Sequence, residues 1–128
     1  MERDGPESRV DRLVAEERLE FERVAAPDLA AEMAAGALVV DTRPVEQRQR
    51  DGELPGAVVI DRNVLEWRLD PTSPHRIAEV GDGTRRVIVV CNEGYASSLA
   101  VGTLRRLGLD RATDLEGGFQ AWRASTGR

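Results

Sequence analysis

Cys91 is the single cysteine of this 128-residue chain, and it stands where an apolar run stops. Val87-Ile88-Val89-Val90 precede it and Asn92-Glu93-Gly94-Tyr95 follow. Beyond them Ala96, Leu99, Ala100, Thr103, Leu104 and Leu107 recur at helical spacing, and Gly108 closes the run. Four apolar, mostly β-branched residues read as a buried strand, and the recurrence reads as a helix with one apolar face. The order strand, cysteine, short polar loop, helix has chemical content. The first N–H groups of a helix lack intrahelical partners, and the helix dipole is positive there. A thiol held over that end is favoured as the thiolate, its nucleophilic form. A cysteine filling a core is the commoner fate of a free thiol. The place of Cys91, opening a polar loop, argues for a reactive group instead.

The composition narrows what that thiol could serve. At 41% hydrophobic and 32% charged, the chain is one folded domain of ordinary size. Its net charge of −5 is wrong for a general nucleic-acid binder. No apolar run approaches the length of a membrane span. A lone cysteine forms no internal disulfide, and with no apolar leader at the N-terminus the expected compartment is the reducing cytoplasm. The one histidine, His75, lies beside Pro74 in a turn-rich stretch far from Cys91. It reads as a solvated loop residue, and neither a metal site nor a cofactor is expected.

The elements that must position Cys91 follow from the rest of the chain. In residues 1–24 an amphipathic helix follows a frayed start, with Val10, Leu13, Val14, Phe21 and Val24 on one face. It is expected to lie on its own domain. Pro27-Asp28 opens a helix over Leu29 to Ala35, and Leu38 to Val40 is a short strand ending in Asp41-Thr42-Arg43. A short helix with Pro44 at its first position runs to Arg50. Ala57 to Ile60 is a strand followed by Asp61-Arg62, and Asn63 to Leu69 is helical. Ala112 to Leu115 is a last strand, and Gly117-Gly118 admits a closing helix, Phe119 to Ser125. Short strands alternating with helices imply an α/β domain with a parallel sheet covered on both faces. Sites in such sheets form beyond the carboxyl ends of the strands, which brings Asp41, Arg43, Arg62 and Cys91 to one edge.

Four stretches in this order resemble a single-domain rhodanese. They are Asp41-Thr42-Arg43, Gly52-Glu53-Leu54-Pro55-Gly56-Ala57, the Cys91 loop, and Leu115-Glu116-Gly117-Gly118-Phe119-Gln120-Ala121-Trp122. The resemblance divides the chain into an N-terminal helical extension, 1–26, and a rhodanese-like domain, 27–128. It implies a three-layer α/β/α fold with a mostly five-stranded parallel sheet. It also implies a sulfurtransferase. Cys91 would take sulfane sulfur as a persulfide from a small donor or a protein persulfide, then pass it to a thiol or other nucleophile. The backbone N–H groups of Asn92, Glu93, Gly94, Tyr95, Ala96 and Ser97 would cradle the charge. Asp41, Arg43 and Arg62 are the supporting residues: Asp41 would bond the loop or else serve as a cap or turn former, and each arginine would lend charge to the site or else be a surface or structural residue.

Some positions depart from that family. Active rhodaneses often carry arginine directly after the cysteine and near the loop end; here Asn92 and Ala96 stand there. Glu93 adds a negative charge, and Glu53 replaces the usual histidine. Thiosulfate, a dianion, is therefore a poor fit unless Arg43, Arg62 or Arg68 reaches the cysteine. Trp122 is expected in the core, whereas Trp67 is a candidate for the site entrance. The alternative function is a binding or regulatory module of weak catalytic power. A cysteine phosphatase needs Cys-x5-Arg, and the sixth residue after Cys91 is Ser97.

Overall fold

The structure, a computed structural model, describes residues 7–127. Strands β1 (Leu38–Asp41), β2 (Val58–Val59), β3 (Val87–Val90) and β4 (Ala112–Asp114) form one sheet in the order β2-β1-β3-β4. All neighbours are parallel, with Leu38 opposite Val87 and Asp41 opposite Val90. Helices α1 (Arg9–Arg18), α2 (Leu29–Ala34), α3 (Val45–Asp51), α4 (Leu65–Leu69), α5 (Ala96–Arg106) and α6 (Gly118–Thr126) connect and cover the strands.

Every residue of β1 and β3 is buried, because successive side chains serve opposite faces of a sheet covered twice. Val87 and Val89 enter one core with Leu65, Leu69, Val101 and Leu104. Ile88 and Val90 enter the other with Leu29, Leu115 and Phe119. Each such side chain stabilises the fold by about 1.5–3 kcal/mol. The strand that leads into Cys91 is therefore anchored in both cores.

The sheet has four strands, not the five expected. In place of a fifth is a single bridge, Val24 to Leu115. The Val24 N–H donates to the Asp114 carbonyl at 3.0 Å, and the Glu116 N–H to the Val24 carbonyl at 2.8 Å. The pairing cannot extend, since the chain turns at once into a 3-10 helix, Ala26–Asp28, containing Pro27. The helix expected over residues 1–24 is also shorter. It stops at Arg18, so Phe21 and Val24 lie beyond it, while residues 1–6 are outside the described part. Only Val14 of α1 is buried; Val10 and Leu13 are exposed. The helix lies against α5, where Glu17 covers Gly102 so closely that a Cβ there would stand 2.5 Å from its carboxylate. The expected helix 63–69 begins as a 3-10 turn, Arg62–Val64, capped by the Asp61 carboxylate at the Asn63 N–H. Among the described residues no helix is long and apolar enough to cross a membrane.

Candidate active site

β3 ends by placing Cys91 at the carboxyl edge of the sheet, with its side chain buried. The loop that follows folds back over the sulfur. The N–H groups of Gly94 and Ser97 donate to Sγ across 3.1 and 3.3 Å. Two donors aimed at one sulfur supply partial positive charge where a thiolate would carry its negative charge. The loop has this shape because Gly94 adopts φ +86° and lies against the chain of α6. A Cβ on Gly94 would stand 2.7 Å from the Gly117 nitrogen, so both the conformation and the close approach require glycine. Gly118 is pressed as closely from the other side, its Cβ position only 2.5 Å from the Cys91 carbonyl oxygen. That contact lets Phe119 N–H donate to the Cys91 carbonyl at 2.9 Å, and Gln120 N–H to the Asn92 carbonyl at 3.1 Å. The Gln120 side chain adds a bond to Asn92 Oδ1 at 3.0 Å.

In front of the sulfur is an open cleft of about 360 Å³, bordered by Thr42, Arg43, Arg62, Glu93, Tyr95 and Ala96 among others. Its two arginines are already engaged. Arg43 is fully buried, and its Nη2 lies 2.9 Å from both Asp41 Oδ2 and the Gly52 carbonyl oxygen. Its guanidinium carbon stands 3.6 Å from the centre of the Phe119 ring, a cation–π contact. Arg62 Nη1 donates to both carboxylate oxygens of Glu66 at 2.9 Å. Burial pushes the Glu66 carboxyl up, but the Thr103 hydroxyl, donating at 2.6 Å, and Arg62 outweigh it and hold the group below its usual range. Asp41 accepts from the Arg43 backbone and side chain and makes no bond to the cysteine loop. The β1 contact to the site comes instead from Thr42, whose N–H and hydroxyl both donate to the Val90 carbonyl.

Behind the loop the charges converge. Asp114, fully buried at the end of β4, accepts from the Ser97 hydroxyl at 2.7 Å and the Ser98 hydroxyl at 2.8 Å. It also binds Arg23 through two parallel bonds, Nε to Oδ1 at 2.8 Å and Nη2 to Oδ2 at 3.1 Å. Arg23 Nη2 and Arg18 Nη2 both donate to the Gly94 carbonyl at 2.7 Å. Arg18 Nε reaches the Ser98 hydroxyl at 2.9 Å, and its guanidinium lies 5.4 Å from the centre of the Tyr95 ring.

The rhodanese-like domain family matches residues 25–125. The chain belongs to that family. Among relatives of the rhodanese-like chain, a thiosulfate sulfurtransferase GlpE of Pseudomonas entomophila is 29% identical over 109 residues, covering 83% of this chain and 88% of its own length. An adenylyltransferase and sulfurtransferase of Zea mays is 35% identical over 85 residues, 66% of this chain. A similar protein of Aspergillus terreus is 47% identical over 55 residues, 39% of this chain. The chain spans only 18% and 11% of the lengths of those two relatives. A solved structure from Rhodopseudomonas palustris, described as a protein of unknown function and possible tyrosine phosphatase, matches all of this chain and 98% of its own with TM-score 0.83 and 28% identity.

The rhodanese-like fold brings Cys91, Glu93, Tyr95, Ala96, Arg43 and Arg62 to one cleft. Asp41 sits beneath it, bound to Arg43. Trp122 is partly buried against Phe119, with ring centres 5.3 Å apart. Trp67 is exposed and borders a separate groove with Val64, Arg68 and His75, so Arg68 is not at the cysteine. Sequence reasoning missed Asp114, Arg18 and Arg23. Asp114 had a signal, for it closes a strand at the same edge as Cys91. The arginines had none, since nothing in their spacing points a helix end at a loop 71 to 76 residues away.

Proposed function

We propose that the protein is a sulfurtransferase that carries sulfane sulfur as a persulfide on Cys91. The observation that carries the reading is the pair of N–H groups on Sγ beneath an open cleft. The Cys91 thiolate attacks the outer sulfur of a donor. A bond forms from Sγ to that sulfur, and the donor's own bond to it breaks, leaving a thiolate or, from thiosulfate, sulfite. An acceptor thiolate then attacks the outer sulfur and releases Cys91 as thiolate, so no external oxidant or reductant enters. Backbone N–H groups of residues 92–97 stabilise the charge at each stage. The relatives named as sulfurtransferases support this class of chemistry.

Thiol-bound donors, small or on a protein, suit the cleft better than thiosulfate, because Arg43 and Arg62 are each bound to a carboxylate. That engagement is also what favours the second reading, a binding or regulatory module of weak activity. A phosphatase, which the Rhodopseudomonas description suggests for that protein, would need an arginine where Ser97 stands, and the Ser97 hydroxyl is turned onto Asp114. A thiol that returns to the thiolate after each transfer suits the reducing cytoplasm. Mass spectrometry tests the proposal: a small persulfide donor adds the mass of one sulfur atom to the protein and none to Cys91→Ala. Sulfuration of Cys91→Ala, or none of the wild type, overturns it.

A further inference from the structure

Arg18 and Arg23 both precede residue 25, where the family match begins, yet both end on the carbonyl of the loop that covers the sulfur. Two guanidinium groups at 2.7 Å from one neutral oxygen are more than that oxygen needs for a hydrogen bond. The peptide they grip joins Gly94 to Tyr95. No peptide bond described is cis, and in a trans peptide the N–H points opposite to the C=O. Holding the Gly94 carbonyl toward α1 therefore turns the Tyr95 N–H away from α1. The same grip fixes the positive-φ Gly94 conformation that aims its own N–H at Sγ.

The charges near the thiol come from every element packed around it. Arg23 is matched by Asp114, Arg43 by Asp41, and Arg62 by Glu66. Glu93 adds a negative charge on the loop itself. Arg18 meets three neutral groups among the described residues: the Gly94 carbonyl, the Ser98 hydroxyl and the Tyr95 ring. It is thus the cation at the loop that has no carboxylate partner among the described residues, and it enters from outside the family domain.

We propose that Arg18 is a positioning residue for the cysteine loop, and that α1 completes the sulfur-transfer site by delivering it. The proposal rests on Cys91 being the nucleophile, and it deepens that reading by assigning a function to the N-terminal helix. Arg18 acts through the Gly94–Tyr95 peptide. It holds the loop's donors toward the sulfur and places a positive charge behind the loop that carries them.

The test compares wild type with Arg18→Gln, which keeps an N–H donor on a shorter side chain but loses the charge, and with Arg18→Lys, which restores the charge and most of the length. Three quantities are read in the full chain: the pH profile of Cys91 alkylation by iodoacetamide, kcat and KM for sulfur transfer from a small persulfide, and Tm. For Arg18→Gln the alkylation profile moves to higher pH, alkylation near neutral pH slows roughly five-fold, and kcat falls with KM little changed. Arg18→Lys recovers most of the loss. An Arg18→Gln protein that is folded, with Tm lowered but the alkylation profile and kcat unmoved, overturns the proposal and leaves Arg18 a structural brace. Alkylation needs no sulfur donor, so an inactive wild type counts against the sulfurtransferase reading while the alkylation profile still judges Arg18.

Discussion

Behind Cys91, Arg18, Arg23, Asp114, Ser97 and Ser98 form a closed set of hydrogen bonds around the loop. In front of it, the cleft is bordered by Ala96 and Glu93, and its two arginines are each bound to a carboxylate. The same residue type is used on both sides for different ends. The rear arginines act on the shape of the loop; the front ones act on the sheet edge and on α4. Charge that a dianionic donor would need in front of the sulfur has been placed behind it. The protein holds its backbone donors rigidly and leaves the charge of the incoming molecule largely unanswered.

The largest way to break this contrast is to remove the rear carboxylate. Asp114→Ala leaves Arg23, whose side chain is only 14% exposed, without its partner and frees two buried hydroxyls. A loss of about 3–5 kcal/mol in urea unfolding is expected, as for other buried pairs broken on one side. A loss under about 1 kcal/mol would make the rear network no stronger than a surface ion pair.

Gly94→Ala attacks the same region through the backbone. Its Cβ meets the chain of Gly117 and Gly118, and its φ of +86° is unfavourable for alanine. A cost of about 2 kcal/mol is expected, together with slower alkylation of Cys91 because one donor to Sγ is displaced. Unchanged stability and alkylation would show that the loop tolerates another shape.

The front of this site was more legible in the sequence than the rear. Cys91 at the end of a β-branched run, the Gly117-Gly118 pair and the two arginines that follow strands, Arg43 and Arg62, all follow from local pattern. So does the parallel sheet, because alternating strands and helices have few other ways to bury both faces. What those side chains bind does not follow. The adjacency of Asp41 and Arg43 leaves open whether the carboxylate faces the loop or the guanidinium, and burial of both selected each other. The fifth strand shrank to one bridge at Val24 because Pro27 turns the chain. Arg18 and Arg23 reach the loop only through tertiary folding, so periodicity carries no trace of their target.

Ala96→Arg sharpens the contrast from the front. Ala96 is exposed on the cleft, so an arginine there is accommodated without repacking. It would give thiosulfate the unpaired cation that Arg43 and Arg62 do not offer. A rise of roughly ten-fold in kcat/KM with thiosulfate is expected, less at high salt and less with an uncharged donor. Brisk thiosulfate turnover by the wild type, or no gain in a folded Ala96→Arg protein, would show that the front is not short of charge.

The smallest effect belongs to Asp51, on a third side of the site. This residue ends α3 and pairs with Arg50 at 2.9 Å and Arg123 at 3.1 Å. It also accepts at 2.9 Å from the Gln120 amide that bonds Asn92, so it joins α3 to the cysteine loop through α6. The hydrogen bond from Arg50 foremost, with those from Gln120 and Arg123, holds its carboxyl well below the ordinary value of 3.8. A carboxyl depressed in the folded state binds its proton sooner in the unfolded state. Its stabilisation is therefore full above the ordinary value and fades as the pH falls below it toward the folded value. Arg50 is 61% exposed, so water and salt screen much of the gain. Asp51→Asn should consequently lower Tm slightly near about pH 7, and the gap to wild type should narrow near about pH 3. A gap that stays constant with acid would mean that the Asn side chain replaces the contacts of Asp51 and that its charge contributes nothing. Alkylation of Cys91 should change less in Asp51→Asn than in Arg18→Gln, since Asp51 reaches the loop through a neutral amide and Arg18 through a charge on the loop carbonyl itself.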